Sequence, residues 1–113
     1  MDIQVAMKTI SRWFRKAKTA TLMLPDGWFG KPYDNAHKLS HISVDNGELV
    51  LELDEHLRLR FRNVGDVRAG SSELSIDSFE TLAFNWREYG TEATHNRTYT
   101  SGQVRLIHLS IPH

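Results

Sequence analysis

His37 and His41 lie four residues apart, which puts two imidazoles on one side of either a helix or a strand. A metal pair is then geometrically open, with Glu52, Asp34 or His95 as third ligand. Nothing else in the sequence demands that third ligand, so no metal and no cofactor is expected. Asp54-Glu55-His56 groups an acid, an acid and a base, but the hairpin derived below makes it an exposed loop, a poor place for acid–base catalysis. Asp26 and Asp34 flank Trp28, Phe29 and Tyr33, with His37 close by. Two carboxylates beside aromatic faces suit a sugar, a cationic ligand or an arginine-bearing partner, through stacking and cation–π attraction. As a glycosidase dyad they would need a cleft that so small a domain does not suggest.

Other chemistries are absent. Zero cysteines remove disulfides, thiol catalysis and cysteine-ligated metals. No serine sits in a Gly-x-Ser-x-Gly elbow. Neither Gly27-Trp28-Phe29-Gly30 nor the Gly65 to Gly70 stretch has the spacing of a phosphate loop. An enzyme is therefore not the expected reading.

The elements that must position these residues divide at the aromatic Gly/Pro loop, 25–36. Pro25-Asp26-Gly27 is a turn signal: proline presets φ, aspartate bonds the following backbone and glycine accepts positive φ. Each large aromatic there has roughly 150–250 Å² to bury. The loop must therefore plug the β core or serve as a binding lip.

Before the loop, residues 2–18 read as an amphipathic helix. Ile3, Met7, Ile10, Phe14 and Ala17 recur at helical spacing, with Ala6 and Trp13 widening the stripe. Lys8, Arg12, Arg15 and Lys16 fall on the other face. Residues 1–20 carry five basic side chains against one acid, net +4, and residues 21–113 nine against thirteen, net −4. A basic helix on an acidic body follows. Thr21-Leu22-Met23-Leu24 is a first strand.

After the loop, residues 39–109 alternate with period two. Asn46-Gly47 marks a type I′ turn pairing Val44 with Leu49, Ile42 with Leu51 and His41 with Glu52. A three-residue loop, Asp54-Glu55-His56, pairs Leu53 with Leu57, Leu51 with Leu59 and Leu49 with Phe61. A two-residue loop would set leucines against charges. The outer face then matches Glu52 with Arg58 and Glu48 with Arg62, each pair worth a few tenths of a kcal/mol. Short strands follow at Val67 and around Leu74 and Ile76. Thr81 to Tyr89 alternates as a strand, although Phe79, Leu82 and Trp86 also fit helical spacing. Gly90 to Asn96 is polar. A last hairpin joins Arg97–Thr100 to Gln103–Leu109 around Ser101-Gly102.

The fold class is α+β, mainly β, in a single domain, 1–113. An N-terminal helix packs on an antiparallel meander of about seven or eight short strands, curled into a sheet, roll or partial barrel. No apolar run reaches the roughly 20 residues of a membrane span. Lys8, Arg12 and Arg15 interrupt any leader-like apolar stretch, so the expected location is cytoplasmic. The expected function is a small non-enzymatic binding or protein-interaction module. Its contact surface is the aromatic loop: Trp28, Phe29 and Tyr33 with Asp26, Asp34 and His37. A homodimer through that surface or a sheet edge would use the same residues. Two alternatives stand beside it. One is a small-ligand protein or enzyme with a pocket at the mouth of the curled sheet, using the same loop with Trp86, Tyr89 and His95. The other is nucleic-acid or membrane-surface association through the basic helix, which the domain's overall neutrality disfavours for nucleic acid.

Overall fold

The computed structural model describes residues 2–29, 36–87 and 93–108. Helix α1 runs Ile3–Ala17. Asp2 caps it, its side chain accepting from the Gln4 N–H at 2.8 Å. The stripe read from the sequence is the stripe that is buried: Ala6, Ile10, Trp13 and Phe14 are inside. Burying each of the larger three contributes about 1.5–3 kcal/mol. The helix ends in a tight reversal about Lys18, at φ 69° and ψ −50°, with the Thr19 N–H bonded to the Ala17 carbonyl at 2.8 Å.

Ten strands follow among the described residues: β1 Thr21–Leu24, β2 Gly27–Trp28, β3 Leu39–Asp45, β4 Glu48–Leu53, β5 Leu57–Arg62, β6 Asp66–Ala69, β7 Glu73–Asp77, β8 Thr81–Arg87, β9 Thr94–Tyr99 and β10 Gln103–Ile107. They form two antiparallel sheets of five, in the orders β2-β1-β10-β7-β6 and β3-β4-β5-β8-β9, not closed into a barrel. The inner faces meet in one core. The first sheet brings Leu22, Leu24, Leu74, Ile76, Val104 and Leu106, and the second brings the leucines of β4 and β5 with Phe61, Leu82 and Phe84. Helix α1 packs on edge strand β6 of the first sheet and on edge strand β3, with β4, of the second. It thereby closes one side of the sandwich. The Trp13 indole N–H bonds to the Gly70 carbonyl at 2.9 Å and fixes the helix to the β6–β7 turn.

The parity-derived hairpins are present residue for residue. Val44 faces Leu49, Leu51 faces both Ile42 and Leu59, and Leu53 faces Leu57. Asn46 and Gly47 both have positive φ, as a type I′ turn requires. Thr81–Arg87 is a strand, with Leu82 and Phe84 buried.

Four details differ from the sequence reading. The described residues form ten strands, because the opening of the aromatic loop pairs back on β1 as β2, Leu24 opposite Gly27. Thr94–Asn96, within the polar stretch, belongs to strand β9. On the outer face Arg62 meets Glu80 at 3.8 Å, while Glu48 meets Arg60 at 3.5 Å. Finally, β9 and β10 are not a hairpin. Strand β9 pairs with β8, and the chain then crosses to the first sheet, where β10 lies between β1 and β7. The reason is burial. A hairpin would leave Val104 and Leu106 against a polar edge strand, whereas between β1 and β7 they are 0% and 1% exposed.

The crossover passes close to the β1–β2 turn. Gly102 has φ +114°, and a Cβ there would stand 2.6 Å from the Pro25 Cβ. Gly102→Ala should therefore cost about 1–3 kcal/mol in chemical denaturation, from positive φ and overpacking together. An unchanged midpoint would mean that the crossover is looser than described.

Candidate functional site

The aromatic residues singled out above separate. Phe29 is half-buried, edge-on to Phe84 at 5.2 Å and to Trp86 at 5.5 Å between ring centroids. Trp28 points the other way, pairs with Met23 across β1–β2 and is 40% exposed. Asp26, at the β1–β2 turn, reaches the opposite sheet. It accepts from the Tyr99 hydroxyl at 3.0 Å and lies 3.9 Å from the Arg97 guanidinium. Arg97 in turn lies 5.1 Å over the Trp86 ring, which also stacks on His95 at 4.8 Å. Asp26 is thus a tie between the two sheets on the side opposite α1. Tyr33, Asp34 and Tyr89 lie outside the described residues.

The histidine pair does not converge. His37 is buried in a bridge to Ala20, its Nδ1 at 2.6 Å from Asp54. Its Nε2 is buried without a hydrogen-bond partner among the described residues. His41 is exposed opposite Glu52. The four-residue spacing fails because a bulge interrupts the register between Leu39 and His41. The extra residue, Ser40, is used locally: its hydroxyl donates to the Glu52 carbonyl at 2.9 Å and accepts the Glu55 N–H at 3.0 Å. Asp54 is likewise committed, accepting the Lys38 N–H as well as facing His37. No group of three or more His, Asp or Glu side chains suited to a metal occurs among the described residues.

Charge is where the two parts of the molecule differ most. Six of the seven described strand arginines have a carboxylate within reach: Arg58 with Glu52, Arg60 with Asp45 and Glu48, Arg62 with Glu80, Arg68 with Asp66, Arg97 with Asp26 and Arg105 with Glu73. The Arg105 hydrogen bonds hold the Glu73 carboxyl below its ordinary value. Helix α1 is the opposite case. Lys8, Arg12, Arg15, Lys16 and Lys18 have no carboxylate partner among the described residues. Elsewhere only Lys38 and Arg87 share that state among the described residues. Lys8, Arg12 and Lys16 recur every four residues in one row, where like charges cost a few tenths of a kcal/mol per pair.

Depressions flank this row on both sides. One, of about 350 Å³, lies toward β3 and is lined by Met7, Lys8, Ser11, Arg12, Arg15 and Ile42. The other, about 450 Å³, lies between α1 and the β6–β7 turn. The sequence announces the cations but not this second cavity, whose far wall comes from residues 69–71 and His108, about 55 to 100 positions along the chain. A third, open depression of about 520 Å³ touches Trp86 at the end of the second sheet, with acids and arginines mixed around it.

Compared with protein-family models, curated proteins and solved structures, the chain has no match. Function therefore rests on the geometry alone.

The Asp26 tie has a titration signature. Burial pushes the Tyr99 phenol above its ordinary value of about 10, Arg97 pulls it back, and the Asp26 carboxylate adds to the rise. A raised folded value means stability that is complete below the unfolded value and lost as pH rises through the folded one. In an ultraviolet titration, Asp26→Asn should return the phenol part of the way toward the ordinary value and ease the alkaline loss of stability. A phenol that titrates identically in the variant would dissociate Tyr99 from Asp26.

Proposed function

We propose that this protein is a binding module that recognises an acidic surface on a partner protein through the exposed face of α1. The observation that carries this reading is the contrast in pairing: six of the seven described strand arginines are neutralised within the fold, while the five cations of α1 and its C-cap have no carboxylate partner among the described residues. The helix dipole favours Arg15 and Lys16 in the last turn, but Lys8 and Arg12 lie before it and add nothing to the core, so their charge is suited to an anionic partner.

Three features favour an acidic protein over the other anionic partners. The apolar stripe of α1 is spent inside the sandwich, which leaves little to insert into a bilayer. The chain beyond residue 20 carries net −4, which repels a long polyanion lying across the body. The groove toward β3 sets Met7 and Ile42 between Lys8, Arg12 and Arg15, a mixed apolar and cationic floor.

A second reading keeps the aromatic hairpin as the contact surface, alone or in a homodimer. It is favoured by Trp28, one of only two large apolar side chains exposed among the described residues.

The two readings part in one titration. A fluorescein-labelled peptide of mixed glutamate and leucine should bind, more weakly as salt rises, and Lys8→Gln/Arg15→Gln should lower its affinity by roughly fivefold. Trp28→Ala should leave that affinity alone. Loss on Trp28→Ala with no effect of the helix variant would assign the surface to the aromatic hairpin. Tighter binding of single-stranded DNA or phosphatidylserine vesicles than of the peptide would overturn the acidic-protein reading.

A further inference from the structure

The cavity between α1 and the β6–β7 turn has the chemistry of a ligand site of its own. Its volume of about 450 Å³ falls within the range of small-molecule pockets. Two of its nine lining residues, Arg12 and Lys16, are cations, and none is acidic. One helical turn separates them, so their Cβ atoms lie about 5–6 Å apart and both heads can reach one anionic group. Neither has a carboxylate partner among the described residues. Ser71, at the opposite lip, makes no hydrogen bond among the described residues, so its hydroxyl is available. Thr9 is not, because its hydroxyl already donates to the Val5 carbonyl at 2.8 Å.

Much of the rest of the wall is apolar. Trp13 forms its floor, with its indole N–H held by the Gly70 carbonyl, and Ala17 and Ala69 flank it. His108 closes one end. Its Nδ1 faces the Thr19 carbonyl at 3.1 Å, and since a carbonyl only accepts, Nδ1 carries the proton and Nε2 is the ring's second polar atom. The site therefore offers two positive charges on the helix side, a hydroxyl at the facing lip and small apolar residues between them.

We propose that this cavity binds a small organic phosphate monoester. The phosphate sits between Arg12, Lys16 and Ser71, and the carbon body lies against Trp13, Ala17 and Ala69. A dianion matches two cations where a carboxylate would neutralise only one, and guanidinium binds phosphate oxygens in pairs. The site does not rest on the acidic-partner reading. Lys8 and Arg15 are outside it, and Arg12 alone borders both depressions.

Phenyl phosphate is the probe, followed by the indole N–H resonance of Trp13 and by calorimetry. It should shift that resonance saturably at millimolar concentration. Arg12→Gln/Lys16→Gln, both exposed positions, should weaken it by about tenfold or more, and Lys8→Gln/Arg15→Gln should leave it within about twofold. Inorganic phosphate and phenol should each bind more weakly than the ester. Ala69→Phe, which fills the cavity without touching a charge, should also abolish the shift. The proposal is overturned by an unmoved Trp13 resonance, by binding that survives both the charge and the filling variants, or by phenol binding as well as its phosphate ester.

Discussion

The burial of one apolar helix stripe is the constraint on which the surface depends. The two sheets bury their inner faces against each other, but a sandwich of five-stranded sheets has open sides. On one side Asp26 spans the gap to Tyr99 and Arg97, polar contacts between partly exposed groups. On the other, Ala6, Ile10, Trp13 and Phe14 fill the gap between β6 and β3, and the Trp13–Gly70 hydrogen bond sets the helix's position. Once that stripe is inside, the rotation of α1 about its axis is decided. The cations four residues apart then face outward because they have nowhere else to go.

The same logic explains why the sheets carry charge differently. Alternation places arginine and acid on neighbouring strands of an outer face, where each finds the other across the ladder. Exposed pairs of this kind contribute about 0–1 kcal/mol each, so they do little for stability. Their larger effect is to leave the sheets without a bare positive patch. What remains is a molecule neutral in total whose unpaired positive charge, among the described residues, is concentrated on one helix with a depression on each side. A charge distribution of this kind attracts small anions to one face more than to the others.

Much of this was legible in the sequence, for identifiable reasons. The registers of β3, β4 and β5 follow from parity, because a one-residue slip would have set leucines against arginines. The helix and its buried stripe follow from spacing. What escaped depends on chain segments far apart. The separation of β9 from β10 is decided by competition for places in the core, and a serine–glycine turn signal reads the same whether the next strand stays in its sheet or leaves it. His37 and His41 were parted by a single bulge at Ser40, which leaves no mark in a hydrophobic pattern this short. Arg62 turned to Glu80, eighteen residues on, instead of to Glu48 on the facing strand, because side-chain reach allows several partners once sheets twist. The cavity beside Trp13 needs residues 69–71 and 108 brought to the helix, and no local rule does that.

The most direct test of this account is a map of the electrostatic field itself. Backbone amide relaxation would be measured with two small paramagnetic cosolutes of equal size, one anionic and one cationic. The anionic probe should dominate at amides along the exposed face of α1, while the two probes should balance along the outer faces of β4 and β5. Balanced relaxation over α1, or an anionic preference as strong over the arginines of β5, would contradict it.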